Sequence, residues 1–350
     1  MPDTRPDAAL DENGICSACR GARLREQIDW AARKKELGTT LEKYRSKDGS
    51  NYDCIIPVSG GKDSTFQTYI IKRVFGLNPL CVTFAPCKST ELGKKNLRNM
   101  IESLEVDHIH FTPNPAVYRK LFKLGFEKVG DPCWPCHVGI FTYPVRVAVQ
   151  YKVPLIIWAG DPEQSNGTLG KKWLYTRGGL LGKRPEDWVQ EGLSLADLKP
   201  YIYPPDEEID AVGVIGLFLG HYVKWDARAQ VEIVTKECGF SVKEDGLVPG
   251  AFLNYENLDC GFVDIHDYLM YLKYGFGRAT TQACINVQNG RMTRDEAFKL
   301  AEKYDGKVER VKEFCDFIGI TPERFWEIAE SFRGKDAWMK DAEGKWVKSV

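Results

Sequence analysis

Residues 54–64, Cys-Ile-Ile-Pro-Val-Ser-Gly-Gly-Lys-Asp-Ser, decide the fold. The first five residues are apolar and rich in β-branched side chains, as in a buried strand. A Ser/Gly loop follows, and the segment after it has apolar residues on one helical face. Glycine lets a backbone approach phosphate closely, and a helix N-terminus offers unpaired N–H groups and a positive dipole end. The stretch therefore predicts a strand, a phosphate-binding loop and a helix.

The loop carries groups that suit a phosphate ligand. Lys62 adds a positive point charge, and the hydroxyls of Ser59 and Ser64 are hydrogen-bond donors. Asp63 lies inside the loop itself, which makes it our preferred Mg²⁺ ligand. The spacing excludes a Walker A loop, because that motif has a longer spacer between its first glycine and its Gly-Lys pair. An ordinary glycine-rich turn between a strand and a helix is the alternative.

Composition is that of a soluble globular protein. The chain has 350 residues, of which 28% are charged and 43% hydrophobic, and this length allows two domains. The formal net charge of −1 gives no basis for non-specific binding to nucleic acid. The longest apolar stretch, Ala211 to Gly220, is too short to span a bilayer, and the acidic N-terminus shows no secretory signal. We expect a cytoplasmic protein whose partners include neither nucleic acid nor membrane.

Strands and helices alternate through the first part of the chain. Short β-rich runs at 54–58, 80–84, 108–111 and 155–158 are separated by segments with helical periodicity. This alternation predicts an α/β fold, with a parallel sheet, helices on both faces and ligands at the carboxyl ends of the strands. Strand signals fade after about residue 205, where Glu208–Tyr222 begins a series of predicted helices. We predict a Cys-containing segment at 1–50, a nucleotide-binding domain at 51–204 and a mainly helical substrate or partner domain at 205–350.

Two further strand ends are candidate binding sites. The backbone after the second strand, at Thr83, Phe84 and Ala85, would meet the adenine of a bound nucleotide. The loop 158–167 after the fourth strand is polar and acidic and contains Gly160. Its position suits Mg²⁺ binding by Asp161, or by its neighbour Glu163, or contacts to a substrate sugar. The alternatives are a plain strand end and a merely solvated acidic loop.

Eleven cysteines in a chain without a secretory signal do not indicate a disulfide framework. Four of them form two C-x-x-C pairs, Cys16/Cys19 and Cys133/Cys136, and we predict metal binding by these pairs, in one shared site or in two. Zinc is the preferred metal. For the second pair an iron–sulfur cluster with a third thiol, a redox dithiol and simple packing also stay open. We expect most of the single cysteines to be buried, inert thiols, with Cys87 the least certain: Cys54, Cys81, Cys87, Cys238, Cys260, Cys284 and Cys315.

A second group of cations occurs far along the chain from the phosphate loop. The stretch 271–282 combines glycines and hydroxyls with Lys273 and Arg278, and Arg291 and Arg294 follow. Cations brought over a nucleotide from a second domain would stabilise the charge on leaving pyrophosphate. We therefore predict catalytic roles for Lys273 and Arg278, against the alternative of a basic helix surface.

Several stretches together resemble known families. Residues 59–64 resemble the SGGxDS loop of the PP-loop ATP pyrophosphatases, which have a HUP-like fold. With MPDTRP, DENGICSAC, CWPCH, KYGFGRAT and GRMTRDEA, the chain resembles the N-acetyl sugar amidotransferase family (WbpG/PseA-like). The resemblance implies ATP and Mg²⁺, catalytic roles for Lys62 and Asp63, and an ATP site. That site would comprise Ser59, Gly60, Gly61, Lys62, Asp63, Ser64, Thr83, Phe84, Ala85 and Gly160.

The resemblance also implies the chemistry. ATP would adenylate the oxygen of an N-acetyl group on a nucleotide-linked sugar, and ammonia would displace AMP to leave an acetamidino group. The pathway would be O-antigen or flagellar glycan biosynthesis. A separate glutaminase (HisH-like) and a cyclase-like subunit (HisF-like) would supply the ammonia.

One feature departs from the family pattern. Members commonly carry another C-x-x-C before the MPDTRP segment, and this sequence begins at that Met. Either the start is truncated, or Cys16 and Cys19 need other ligands, such as Cys133 and Cys136. The functional alternatives are a PP-loop tRNA thiolase that uses a Cys-bound cluster, and a non-catalytic ATP-binding scaffold subunit.

Overall fold

A six-stranded sheet lies at the centre of the computed structural model, which describes residues 3–4, 9–160, 168–169 and 180–349. The strand order is β3-β2-β1-β4-β6-β5. All neighbouring pairs are parallel except β5 and β6, which are antiparallel. The predicted fold class is confirmed. The strands are β1 (Cys54–Pro57), β2 (Pro79–Phe84), β3 (Asp107–Phe111), β4 (Leu155–Trp158), β5 (Thr168–Leu169) and β6 (Ile215–Phe218).

Helices cover both faces of this sheet, which explains why its central strands are continuous apolar runs. Side chains alternate along β1, so that Cys54 and Ile56 face one apolar cluster while Ile55 faces another. The first cluster is closed by α2, α3, α4 and α9, and the second by α6 and α8. The helices of this part of the chain are α1 (Ser17–Arg25), α2 (Trp30–Glu42), α3 (Lys62–Tyr69), α4 (Glu91–Leu104), α5 (Pro115–Leu124), α6 (Trp134–Tyr151), α7 (Leu195–Leu198), α8 (Asp206–Val212) and α9 (Ala227–Cys238).

The C-terminal part is mainly helical, as predicted, and ends in a β-hairpin. Its helices share an aromatic core with α5 and α6, in which Phe126 stacks on Phe325 with ring centroids 5.0 Å apart. The hydroxyls of Thr293 and Thr321 cap the helices that follow them, at Arg294–Tyr304 and Pro322–Ser331. The elements are α10 (Val263–Tyr274), α11 (Arg278–Gln288), α12 (Arg294–Tyr304), α13 (Val311–Ile318), α14 (Pro322–Ser331), β7 (Trp338–Lys340) and β8 (Trp346–Lys348). Within the described residues, no helix has both the length and the apolar character needed to cross a bilayer.

The helix predicted over Glu208–Tyr222 is wrong beyond Val212. Gly213 ends α8 with a left-handed backbone (φ 72°), and residues 215–218 form β6. A short buried strand has no polar alternation, so its apolar run cannot be distinguished from a buried helix by periodicity. Because β6 pairs with β4, the sheet also extends beyond the domain boundary predicted at residue 204.

The sheet order makes the end of β1 the expected position for a ligand. The chain leaves β1 towards β2 on one side, and β4 lies against β1 on the other side. In open α/β sheets, ligands bind at the carboxyl ends of strands where the order reverses in this way. The loop Ser59–Ser64 follows β1 at this point.

Gly60 brings this loop into contact with α4. Its backbone is left-handed (φ 85°), and an added Cβ would lie 2.6 Å from the Gly93 carbonyl oxygen and 2.9 Å from the Leu97 nitrogen. Both of these are backbone atoms of a helix, which cannot move aside cheaply. Glycine is therefore required at position 60 for conformation and for space.

We predict that Gly60→Ala lowers the free energy of unfolding by about 3 kcal/mol. A left-handed alanine costs about 1 kcal/mol, and the backbone overlap adds about 2 kcal/mol. Gly213→Ala is the matched control, because Gly213 has a similar φ of 72° but no atom within 4 Å of an added Cβ. It should cost only about 1 kcal/mol. Equal losses for the two variants in urea unfolding would contradict the close approach of the loop to α4.

Candidate active site

The loop Ser59–Ser64 forms a closed turn at the N-terminus of α3, with Gly61 as the capping residue. The Ser59 hydroxyl accepts from the Gly61 N–H at 3.3 Å, and the Ser64 hydroxyl donates to the Gly61 carbonyl at 3.2 Å. The loop thus lies at the positive end of the α3 dipole. This is the arrangement that binds phosphate groups.

Lys62 is buried between two carboxylates. Its side chain is only 6% exposed, and its Nζ lies 2.7 Å from Asp63 Oδ2 and 3.0 Å from Glu256 Oε1. Burial alone would lower the pKa of Lys62, but the two carboxylates outweigh it and raise the pKa. Lys62 therefore carries its charge at neutral pH. Glu256 is distant from the loop along the chain and has no motif of its own, so the sequence alone does not point to it.

The segment 254–261, which contains Glu256, crosses the phosphate-loop end of the sheet. Its backbone is hydrogen-bonded to the chain before α4, with the Gly261 N–H donating to the Lys88 carbonyl at 2.7 Å and the Thr90 N–H to the Asp259 carbonyl at 3.1 Å. Burial raises the pKa of the Asp259 carboxyl, and a hydrogen bond with Ser59 offsets this in part. The segment thus places Glu256 and Asp259 at the phosphate loop.

Arg278 lies beside the same segment. Its guanidinium makes a two-point contact with Asp267, at 3.1 and 2.8 Å. The Asn257 amide, with its oxygen turned towards the guanidinium, accepts at 2.8 and 3.1 Å. Burial opposes the charge of Arg278, but Asp267 raises its pKa. The structure therefore brings Arg278 next to the residue that follows Glu256.

The other predicted cations make different contacts. Lys273 donates to the Val129 carbonyl at 2.7 Å and lies over the ring of Phe332, and burial lowers the pKa of this lysine. Arg291 forms an ion pair with Asp226. Arg294 is exposed at the start of α12. Arg278 is joined to the segment at the phosphate loop through Asn257, and Arg291 lies near Tyr255 of the same segment.

The predicted adenine-binding strand end is hydrogen-bonded within the protein. The Thr83 hydroxyl donates to the Val58 carbonyl at 2.8 Å. The Ala85 N–H donates to the Phe111 carbonyl at 2.9 Å, and the Ala85 carbonyl accepts from the Tyr118 hydroxyl at 3.0 Å. The Phe84 ring packs in an aromatic cluster that includes Tyr118. Adenine contacts at these residues stay a prediction.

The predicted loop after β4 is described only at its start. Gly160 has a left-handed backbone (φ 103°), and its carbonyl accepts from the Gly220 N–H at 2.9 Å. Asp161 and Glu163 lie outside the described residues, so their predicted roles stay predictions.

The second C-x-x-C pair is buried beside the site. Cys133 is the capping residue of α6, and Cys136 lies in its first turn. The Cys136 sulfur lies 2.8 Å from the Tyr118 hydroxyl oxygen, and burial raises the pKa of this thiol to about 11. Cys87 and Cys260 pack against the same core and lie near enough to Cys136 to interact with it electrostatically. Cys260 is therefore not the isolated thiol that the sequence suggested.

The first C-x-x-C pair has another neighbour. Cys16 and Cys19 are hydrogen-bonded to each other, and Cys284 lies close to Cys19. Within the described residues, possible metal ligands converge at Asp131, Cys133 and His266. One donor atom of each lies within 4.8 Å of the other two. This group does not combine the two C-x-x-C pairs, for which a shared site and two separate sites were both predicted. Asp131 and His266 could not be predicted as metal ligands from the sequence, because they lie on separate elements that only the fold brings together.

The C-terminal part of the chain matches a known family. Residues 249–350 match the family model described as "LPS biosynthesis protein WbpG-like, C-terminal domain". We call residues 249–350 the WbpG-like domain after this similarity. The resemblance found in the sequence is thereby confirmed for this part of the chain. The WbpG-like domain includes Glu256, Asn257, Asp259 and Arg278, so it contributes directly to the candidate site.

Three further proteins resemble this chain in sequence or in fold. An uncharacterized protein of Methanocaldococcus jannaschii is 30% identical over 122 residues, which is 35% of this chain and 42% of that protein. The matched part thus spans less than half of that relative. NMN synthetase from Francisella tularensis is a structural likeness at 13% identity and a TM-score of 0.39, covering 79% of this chain and 92% of that one. The U34-tRNA thiolase NcsA from Methanococcus maripaludis, with its 4Fe-4S cluster, has 12% identity and a TM-score of 0.33, covering 91% and 86%.

A double-mutant cycle on Lys62 and Glu256 tests the contact between the loop and the WbpG-like domain. We predict that Lys62→Ala and Glu256→Ala are non-additive by at least about 1 kcal/mol in the free energy of unfolding. Buried charge pairs couple strongly, because removing one partner leaves the other charge uncompensated. The four proteins of the cycle would be compared by urea unfolding.

The pair Lys88 and Glu313 is a matched control. Its atoms lie 2.8 Å apart, but its side chains are 47% and 45% exposed. Solvent screens such a pair, so its coupling should stay below about 0.5 kcal/mol. A Lys62–Glu256 coupling no larger than that of the control would show that the buried contact does not form in solution.

Proposed function

We propose that this chain is an ATP-dependent amidotransferase that converts the N-acetyl group of a nucleotide-linked sugar into an acetamidino group. The observation that carries the proposal is the contact between Lys62 of the phosphate loop and Glu256 of the WbpG-like domain. It joins the part of the chain suited to bind the phosphates of ATP to the part whose family is linked to lipopolysaccharide biosynthesis. O-antigen or flagellar glycan assembly is the corresponding pathway.

The reaction has two steps. In the first, the acetamido oxygen attacks the α-phosphorus of ATP, and the bond to pyrophosphate breaks. In the second, ammonia attacks the activated carbon, and AMP leaves with the former acetyl oxygen. The net change replaces one C=O by C=NH, and the products are AMP, pyrophosphate and the acetamidino sugar. No protein nucleophile is needed, so positioning and electrostatics supply the catalysis.

The described residues suit these steps. The Ser59–Ser64 loop would hold the phosphates of ATP at the positive end of α3, and the charges of Lys62 and Arg278 would stabilise departing pyrophosphate. We give Lys273 no step in this mechanism, because its ammonium donates to the Val129 carbonyl. Thr83, Phe84, Ala85 and Gly160 are kept as proposed contacts of the adenosine.

Asp63 fits the proposed Mg²⁺. Its carboxylate is 42% exposed, which leaves room for further oxygen ligands from water and phosphate. Mg²⁺ is commonly held by one or two carboxylates together with substrate phosphates, and when bound it neutralises phosphate charge. Asp63 would hold the ion and at the same time keep the Lys62 ammonium in place.

The source of ammonia is part of the proposal. We propose a separate glutaminase (HisH-like) and a cyclase-like subunit (HisF-like) as partners, on the basis of the family resemblance. Free ammonium salt should replace both partners in the assay, since ammonia itself is the attacking group.

The direct test is product formation by the purified chain. It would be incubated with ATP, Mg²⁺, an ammonium salt and a panel of UDP- and CMP-linked N-acetyl sugars, with bulk tRNA in parallel. We expect AMP and pyrophosphate with at least one sugar, together with the mass change for replacing O by NH. AMP with tRNA alone would favour a thiolase, ADP would contradict adenylation, and ATP binding without cleavage would favour a scaffold subunit.

Substitutions in the candidate site test whether the reaction takes place there. We predict that Asp63→Asn and Arg278→Lys each lower kcat/KM by about 100-fold. The first removes the carboxylate proposed to hold Mg²⁺. The second keeps the charge but loses the planar guanidinium whose two-point contact with Asp267 orients it. The control is Asp316→Asn, which removes a carboxylate paired with Lys312 on the exposed surface of α13. It should change kcat/KM by less than about 2-fold. Near-normal activity of the Asp63 variant would contradict the assigned phosphate loop.

A further inference from the structure

Three different donor groups meet between α6 and α10. Asp131 lies in the turn before α6, Cys133 caps that helix, and His266 lies in the first turns of α10. A carboxylate oxygen, a thiol sulfur and an imidazole nitrogen of these residues all lie within 4.8 Å of one another. Asp131 and Cys133 are buried, and the His266 side chain is 22% exposed.

The protein holds these groups in position by itself. The Cys133 N–H donates to Asp131 Oδ1 at 2.9 Å, and the same oxygen lies 2.9 Å from His266 Nδ1. The ring of His137 lies against that of His266 with centroids 5.2 Å apart. A structural Asp–His hydrogen bond would account for two of the three groups. The third group, the Cys133 thiol, takes no part in that hydrogen bond and also lies near the thiols of Cys260, Cys136 and Cys87.

We propose that Asp131, Cys133 and His266 bind a Zn²⁺ ion. Zinc accepts carboxylate, thiolate and imidazole ligands together, whereas Mg²⁺ and Ca²⁺ take oxygen ligands. Structural zinc sites are usually closed by four protein ligands, while catalytic sites have three and keep a position for water or substrate. Three protein donors therefore indicate a site of the second kind.

This ligand set differs from a C-x-x-C site. Cys136, the other member of the pair, lies outside the group of converging donors, and its sulfur contacts the Tyr118 hydroxyl. The motif thus contributes one ligand, and the fold supplies the other two from outside the pair.

The proposed zinc site lies next to the candidate active site. His266 is followed in α10 by Asp267, which holds the Arg278 guanidinium. Arg278 contacts Asn257, the neighbour of Glu256 at the phosphate loop. Zinc binding does not depend on the proposed amidotransferase activity, so each can fail without the other.

Cobalt(II) is the probe for the test, because thiolate ligation gives it a charge-transfer absorption band that Zn²⁺ lacks. The full chain would carry Cys16→Ser and Cys19→Ser, so that the N-terminal pair cannot contribute, and would be freed of metal with a chelator. We expect one Co²⁺ per chain with a thiolate band, and displacement of the Co²⁺ by Zn²⁺. Proton release should accompany binding, because the thiol loses its proton.

Single variants then test the ligand set. Cys133→Ser should abolish the thiolate band, and His266→Asn and Asp131→Asn should each weaken Co²⁺ binding by at least about 10-fold. Cys136→Ser and Cys260→Ser are the matched controls, because both remove thiols of the same region that lie outside the ligand set. Both should keep the band, with affinity within about 3-fold. Circular dichroism spectra would confirm that each variant is folded.

Several outcomes would overturn the proposal. These are no Co²⁺ binding by the folded parent protein, loss of the band in Cys136→Ser or Cys260→Ser, and unchanged affinity in both His266→Asn and Asp131→Asn. Iron with acid-labile sulfide in protein purified without oxygen, lost on Cys133→Ser, would also overturn it in favour of a thiolate-bound cluster.

Discussion

The buried ion pair between Lys62 and Glu256 is the interaction on which the rest of the site depends. A lysine with a 6% exposed side chain keeps its charge only because Asp63 and Glu256 lie at 2.7 and 3.0 Å, since desolvation alone would favour the neutral amine. Glu256 belongs to the WbpG-like domain and Lys62 to the phosphate loop. The need to neutralise the buried Lys62 charge therefore holds two regions in contact that are far apart in sequence.

The ion pair would also keep the proposed phosphate site oriented before its ligand binds. Positive charge at the start of α3 would repel the Lys62 ammonium if no anion were near. The carboxylate of Glu256 supplies that negative charge, and the Gly60 contact with α4 fixes the loop. Arg278 is held in the same way by Asp267. The cations that ATP would meet are therefore already oriented, which lowers the reorganisation needed on binding.

The sequence was sufficient to predict those elements that depend on residues close together along the chain. β1 to β4 and the turn Ser59–Ser64 at the start of α3 follow from short patterns of hydrophobic residues and glycines. β6 was missed because a buried strand of four residues resembles part of a buried helix. Glu256, Asp131 and His266 carry no motif, and their roles arise only when the fold brings distant segments together. The contact of Lys273 with the Val129 carbonyl was equally hidden, because composition does not show where a side chain points.

The most direct test of the account is a crystal structure with a non-hydrolysable ATP analogue and Mg²⁺. The account predicts that the phosphates lie along Ser59–Ser64, hydrogen-bonded to the first N–H groups of α3, with the Lys62 ammonium in contact and Glu256 and Arg278 beside them. An analogue bound at another place, with the loop and the Lys62–Glu256 pair unchanged and without phosphate, would contradict it.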